Sequence, residues 1–308
     1  MHHQATAPSR QPSKLICWAL LLASGTLFGS SFSMIKVAVA DGAHPLGLTF
    51  WFAALSAVMT GGAAALRGRF KQLNRGMIRF CLLWSLLGTV IPGVLFFYAA
   101  REIPAGIIAL AIAMVPILTY LGALATRQDE ATLGRIAGIL LGAIAGAILI
   151  LPEATLPKPE DSFWVLMTFL AAFCFAIEHL YFASRAPKDA PLDLMLCVMF
   201  SGAALVLLPM IWVSGLWATG SFVVPSWPPT ATDLVVLGVA AVTTADYFFF
   251  ALLIAWAGPV FTSQAAYIVT LSGVLWGIVL FGENHSLGIW AALALLMIGI
   301  FLVRPRSG

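Results

Sequence analysis

Ten stretches of roughly twenty residues, almost free of charge, recur along the chain between short polar or basic breaks. They run approximately Leu15 to Val39, Leu46 to Leu66, Met77 to Ala99, Pro104 to Thr126 and Leu133 to Leu151. After a short break come Ser162 to Ser184, Leu192 to Trp217, Leu234 to Trp256, Phe261 to Phe281 and Leu287 to Val303. A helix of about 20 apolar residues crosses a hydrocarbon core about 30 Å thick. The pattern therefore predicts an all-α integral membrane protein with ten transmembrane helices.

Composition agrees with that reading and removes several alternatives. Of 308 residues, 61% are hydrophobic and 9% charged, and the mean hydropathy is +0.99. A soluble chain carries about 25% charged residues, so a soluble enzyme is excluded, as are disorder, collagen and a disulfide-stapled scaffold. Cys17, Cys81, Cys174 and Cys197 all lie inside apolar runs, where a thiol behaves as a small hydrophobe. The net charge of +3 does not point to nucleic acid, because the basic residues fall between spans rather than on one face. They report topology instead. With the N-terminus in the cytoplasm, thirteen Lys and Arg residues fall inside (Arg10 and Lys14, the run Arg67 to Arg79, Arg127, Arg135, Arg185, Lys188, Arg304 and Arg306) and only Arg101 and Lys158 outside. Cytoplasmic loops keep such an excess, so both termini are expected in the cytoplasm and the protein in a bacterial inner membrane. Ala38-Val39-Ala40, following basic Arg10 and Lys14, has the look of a signal-peptidase site. The apolar run is longer than the usual 7 to 15 residues or so and Lys36 crowds the supposed cleavage point, so the segment is read as a span.

The chain also repeats itself. An offset of 154 residues lays Asp129, Leu133 and Gly134 on Glu283, Leu287 and Gly288. With small shifts, Phe96-Phe97-Tyr98-Ala99 lies on Phe248-Phe249-Phe250-Ala251, and Phe28-Gly29-Ser30 on Phe175-Ala176-Ile177. Each half holds five spans, an odd number, so the second enters from the opposite side: an inverted repeat of the kind that gives secondary transporters two gates about a central site. The expected divisions are a tail at 1–14, a first repeat at 15–152, a connecting loop at 153–161 and a second repeat at 162–304.

These residues carry a resemblance. Leu27-Phe28-Gly29-Ser30-Ser31-Phe32 resembles the first-helix pattern of the drug/metabolite transporter superfamily, in its ten-helix form built from two EamA domains. Phe97-Tyr98-Ala99-Ala100-Arg101-Glu102-Ile103-Pro104-Ala105-Gly106 resembles that family's turn between helices three and four. Pro116 matches its helix-four proline, and Gly282-Glu283 before Leu287-Gly288 its step before the last helix. The resemblance spans Leu15 to Val303. Two departures stand out: Thr270 occupies the place matching Pro116, and Asp246 charges a helix that is more often uncharged in such proteins.

An ionisable side chain inside a span costs about 2.5 to 3.5 kcal/mol on insertion scales, so it usually faces a cavity or a partner. Lys36, Glu178, His179 and Asp246 are of this kind. Asp246, flanked by Thr243, Thr244 and Tyr247, is expected to exchange protons or bind a cationic group; otherwise it is a carboxyl bonded within the bundle. Glu178 and His179 are expected as a polar entry or a proton relay. Alternatively, Glu178 turns toward Arg185 and His179 bonds a neighbouring hydroxyl. Lys36 either snorkels to the interface or ends a polar face made with Thr26, Ser30 and Ser33. Arg101, beside Tyr98, either holds a substrate carboxylate at an outer gate or pairs with Glu102. Gln264, Tyr267 and Thr270 recur every three residues as a polar stripe that binds either substrate or a neighbouring helix. The expected substrate-binding set is thus Tyr98, Arg101, Gln264, Tyr267, Thr270, Ser30, Ser33 and Tyr247, with Asp246, Glu178 and His179 for proton coupling. Pro92-Gly93 and Pro116 interrupt spans three and four and could expose carbonyls there. Gly134, Gly138, Gly142 and Gly146 form a small-residue ridge for close helix packing, within the chain or in a homodimer.

Neither H-E-x-x-H nor G-x-S-x-G occurs, so no catalytic, metal or cofactor site is expected and an intramembrane enzyme is a minor alternative. The longest loop, roughly Ala218 to Asp233, is too short for a ligand-binding domain. The expected function is transport of small amphipathic metabolites such as amino acids by alternating access, with export implied by the resemblance. Flipping of a lipid or lipid-linked substrate is the alternative within the same fold. The expected partners are a small-molecule substrate and the bilayer, with no nucleic acid.

Overall fold

The computed structural model describes residues 13–40, 44–102, 111–150, 162–216, 230–281 and 287–303, and those residues are helical with short connections. In chain order the helices are α1 (Lys14–Ala40), α2 (Pro45–Leu66), α3 (Arg75–Ser85), α4 (Ile91–Glu102), α5 (Val115–Ala125) and α6 (Leu133–Ile150). They continue as α7 (Ser162–Arg185), α8 (Leu192–Val213), α9 (Ala231–Ala257), α10 (Pro259–Ser263), α11 (Ala265–Phe281) and α12 (Leu287–Leu302). Six stretches are long and apolar enough to span a bilayer: Lys14–Ser31, Pro45–Leu66, Arg75–Phe96, Ser162–Arg185, Leu192–Val213 and Thr232–Ala257. Ala111–Ala125 and Leu133–Ala145 are shorter apolar helices. The protein is an all-α integral membrane protein. The tail, the 153–161 connection, most of the Ala218 to Asp233 loop and the Gly282-Glu283 step lie outside the described residues.

Local chemistry sets several of the helix boundaries. Asn74 accepts the Met77 N–H at 2.9 Å and starts α3. Thr230 and Asp233 form a reciprocal capping box that opens α9, three residues ahead of the expected Leu234. Gly258, at φ 87°, stops α9 in a conformation few other residues tolerate, and Pro259 then starts α10 with its fixed φ. The ninth apolar stretch was expected to be continuous from Phe261; it begins earlier and is broken at Gln264, where α10 gives way to α11.

Helix contacts cross between the two halves of the chain at many points. α1 packs on α9 and α11; α7 packs on α4 and α5; α2 packs on α8, α6 on α12, α3 on α8 and α9 on α2. Glycines permit the tightest of these approaches. Gly25 and Gly29 of α1 meet Ile268 and Ser272 of α11, whose hydroxyl donates to the Gly25 carbonyl at 3.2 Å. Two members of the glycine ridge are used within the chain: Gly138 meets Gly299 backbone to backbone, and Gly142 receives the ring of Tyr267. The largest core cluster gathers α2, α3, α7, α8 and α9 around Trp84, Phe200, Met199 and Leu194, all fully buried.

Candidate functional site

The third apolar stretch carries the local irregularity that organises the site. Pro92 has no N–H, so it cannot return the helical bond that the Gly88 carbonyl would otherwise accept. Between α3 and α4 the helix widens over Leu86–Val90, and the Ile91 N–H reaches back to the Leu86 carbonyl, five residues away. The Gly88 carbonyl instead accepts the hydroxyl of Tyr247, from α9, at 2.6 Å. Thr89 lies 3.4 Å from the same hydroxyl. Position 88 admits no side chain: a Cβ there would overlap the Glu178 carboxyl and lie 2.7 Å from the Tyr247 hydroxyl.

Two intramembrane carboxyls stand beside this turn. Glu178, 2% exposed on α7, accepts the indole N–H of Trp84 from α3 at 2.7 Å. Asp246 on α9 accepts the Ser24 hydroxyl from α1 at 2.5 Å. Tyr247, whose hydroxyl lies at Gly88 beside the Glu178 carboxyl, is the chain neighbour of Asp246. Each carboxyl is held by a donor from the opposite half of the chain, and Tyr247 adds a third such bond. Rings close around Trp84: Phe182 at 4.8 Å, Tyr247 at 5.7 Å, Phe80 at 5.8 Å and Phe250 at 6.3 Å between centroids.

The remaining expected site residues are more dispersed. His179 faces the Phe175 carbonyl through Nδ1 at 2.7 Å and sets its ring edge-on to Phe250 at 4.9 Å, so its partner is backbone rather than a hydroxyl. Glu178 pairs with Trp84 rather than turning toward Arg185. Tyr98 is half-buried with His44 across from it at 6.0 Å. Ser30 donates to Leu27 O at 2.7 Å, and Thr270 to Ala266 O at 3.1 Å, both within their own helices. Tyr267 is fully buried against α6 and donates to the Ile139 carbonyl at 3.2 Å. Gln264, also fully buried, donates weakly to Val260 O at 3.4 Å, and its Oε1 has no partner among the described residues. The polar stripe of Gln264, Tyr267 and Thr270 therefore bonds to protein in the described residues. Thr26 is exposed on α1. The side chains of Arg101, Ser33 and Lys36 lie outside the described residues.

Sequence reasoning passed over Trp84, Ser24 and Gly88. For Gly88 a signal existed, since a proline four residues later frees its carbonyl. Trp84 and Ser24 are 94 and 222 residues from their carboxyl partners, and nothing local marks them.

Residues 15–151 match the model of the EamA-like transporter family. Those residues are thus similar to an EamA-like domain, the domain type of the drug/metabolite transporter superfamily. Members of that family are membrane transporters rather than enzymes. A solved structure titled only "Crystal structure of protein" superposes on this chain with a TM-score of 0.75, covering 94% of this chain and 96% of the other at 16% identity. That likeness is one of fold and extends well past the EamA-like domain. No curated protein matches the sequence. The EamA-like domain supplies Ser24, Trp84 and the Gly88 turn, and the residues after it supply Glu178, Asp246 and Tyr247.

Proposed function

We propose that this protein is a secondary transporter that exports small amphipathic metabolites, amino acids among them, by alternating access of two inverted five-helix halves, coupled to protons. The observation that carries the reading is the placement of the two intramembrane carboxyls. Glu178 and Asp246 both belong to the second half, and each takes its hydrogen bond from the first, through Trp84 and Ser24. A proton gained or lost at either carboxyl changes a bond that holds the halves together, which is what coupling requires.

Helix pairing supports the inverted repeat. Exchanging the halves turns α1 on α9 into α7 on α4, α1 on α11 into α7 on α5, and α3 on α8 into α9 on α2. The pairs α2 with α8, α6 with α12 and α5 with α10 map onto themselves. The excess of Lys and Arg on one side supports cytoplasmic termini, and an inner-membrane location fits the same reading.

Uptake into proteoliposomes from a mixed metabolite pool, with and without an imposed pH gradient, tests the reading. Saturable accumulation of one solute class that needs the gradient, and that fails in Asp246→Asn, is the expected result. Gradient-dependent transport unchanged in that variant removes Asp246 from coupling. Movement of labelled lipid between leaflets, with no solute moved, replaces the reading with a flippase.

A further inference from the structure

The connection from α2 to α3 differs in charge from the other basic connections. Between Leu66 and Phe80 stand five basic residues and no acidic one. Elsewhere the basic residues have acids beside them: Arg127 and Arg135 flank Asp129 and Glu130, with Arg135 paired to Asp129, and Arg185 and Lys188 precede Asp189 and Asp193. Asp193 reaches across to Arg67 and Arg69, so one carboxylate meets two guanidiniums and a positive charge is left over. Lys71, Arg75 and Arg79 are exposed and have no acidic partner among the described residues. Orienting a chain in a bilayer needs basic residues on one side; it does not need them gathered without counter-charge at a single turn.

The same turn interleaves apolar side chains with the charges, at the edge of the membrane. One membrane-length stretch ends at Leu66 and the next begins at Arg75, so the residues between them lie at the boundary of hydrocarbon and water. Gly68, at φ 63°, turns the chain off α2 into one tight helical turn, Arg69–Gln72, which leaves Phe70 and Leu73 exposed beside the charges. On α3, Arg75 and Arg79 stand one turn apart on the same face, about 6 Å along the axis. That face continues over the next turn with Leu82 and Leu83, 40% and 42% exposed, and Leu82 lies over Gly202 of α8. A phosphate between two guanidiniums, with a hydrocarbon chain running down the leucines, matches this order of polar and apolar groups. A soluble polyanion would use the charges and leave the apolar residues without a partner.

We propose that the α2–α3 connection and the exposed face of α3 bind an anionic phospholipid, with Arg75 and Arg79 on its phosphate, Lys71 adding charge beside them, and Leu82 and Leu83 along its acyl chain. Such binding is independent of the solute carried.

Native mass spectrometry of the purified full-length protein, delipidated in detergent and incubated with equal amounts of dioleoylphosphatidylglycerol and dioleoylphosphatidylcholine, tests this. Each Lys or Arg near a membrane surface strengthens anionic-lipid binding about fivefold, so the first adduct is expected to be at least about tenfold richer in phosphatidylglycerol. Arg75→Gln combined with Arg79→Gln is expected to bring that ratio to within about threefold of unity. Arg75→Lys combined with Arg79→Lys keeps most of the preference, and Lys188→Gln, at another connection, leaves it unchanged. Equal binding of the two lipids by the wild-type protein overturns the proposal. So does a preference that survives in the double Gln variant, or one that falls as far in Lys188→Gln. The wild-type ratio needs no variant, so it decides even where a variant misfolds. Dihexanoylphosphatidylglycerol is expected to displace the bound lipid at concentrations where inorganic phosphate does not; displacement by phosphate at the same concentration overturns the lipid assignment in favour of a free anion.

Discussion

A phenol buried in a membrane must donate its proton somewhere, and Tyr247 donates to a carbonyl that Pro92 has left without its helical partner. Tyr247→Phe keeps the ring and strands that carbonyl. Thermal melting in detergent is expected to show a loss of stability of about 1 to 3 kcal/mol. Ser24 and Asp246 make a second test at this scale. Because each is the other's partner, the effects of Ser24→Ala and Asp246→Asn on denaturation are expected to be non-additive by about 0.5 to 3 kcal/mol in a double-mutant cycle; simple additivity counts against the bond. Asp246, Glu178 and Tyr247 were legible in the sequence because a charge or hydroxyl inside an apolar run is conspicuous. Their partners were not: an indole or a serine in a span is ordinary until the fold brings a carboxyl to it.

The irregular turn of the third apolar stretch belongs to the scale of the element. Pro92-Gly93 marked it as an interruption; the widened turn and the place to which its carbonyl points required the neighbouring helix. Pro92→Ala restores an N–H that can close an ordinary helical bond to Gly88, drawing that carbonyl away from Tyr247. Stability is expected to hold or rise while proteoliposome uptake falls, and uptake at the wild-type rate argues that the turn has no part in transport. The break at Gln264 shows the opposite failure of reading. Gly258-Pro259 separates two apolar stretches and is legible, but hydropathy marks nothing at Gln264, so α10 and α11 read as one span. At the crossing of α6 and α12, Gly138→Leu forces a side chain into the backbone at Gly299. A cost of about 1 to 3 kcal/mol or more is expected in the same melting assay.

Across the whole molecule, bonds between sequence-distant helices recur at several levels. The buried Asp193 at the start of α8 takes Arg67 at 3.0 Å and Arg69 at 2.6 Å from the residues just past the end of α2. Arg67 is 59% exposed, so solvent screens much of that attraction. Asp193→Asn is expected to lower stability by about 1 to 3 kcal/mol, with the deficit shrinking as salt is raised. The all-helical membrane architecture followed directly from the spacing of apolar runs; which helices touch did not. The bond from Tyr247 to Gly88 has a consequence for inheritance. It ties a proline in one half to a hydroxyl in the other, and neither is useful alone: without the proline the hydroxyl has no acceptor, and without the hydroxyl the carbonyl is stranded. Among descendants of the same ancestor, positions 92 and 247 should be lost together and kept together, although 155 residues of chain separate them.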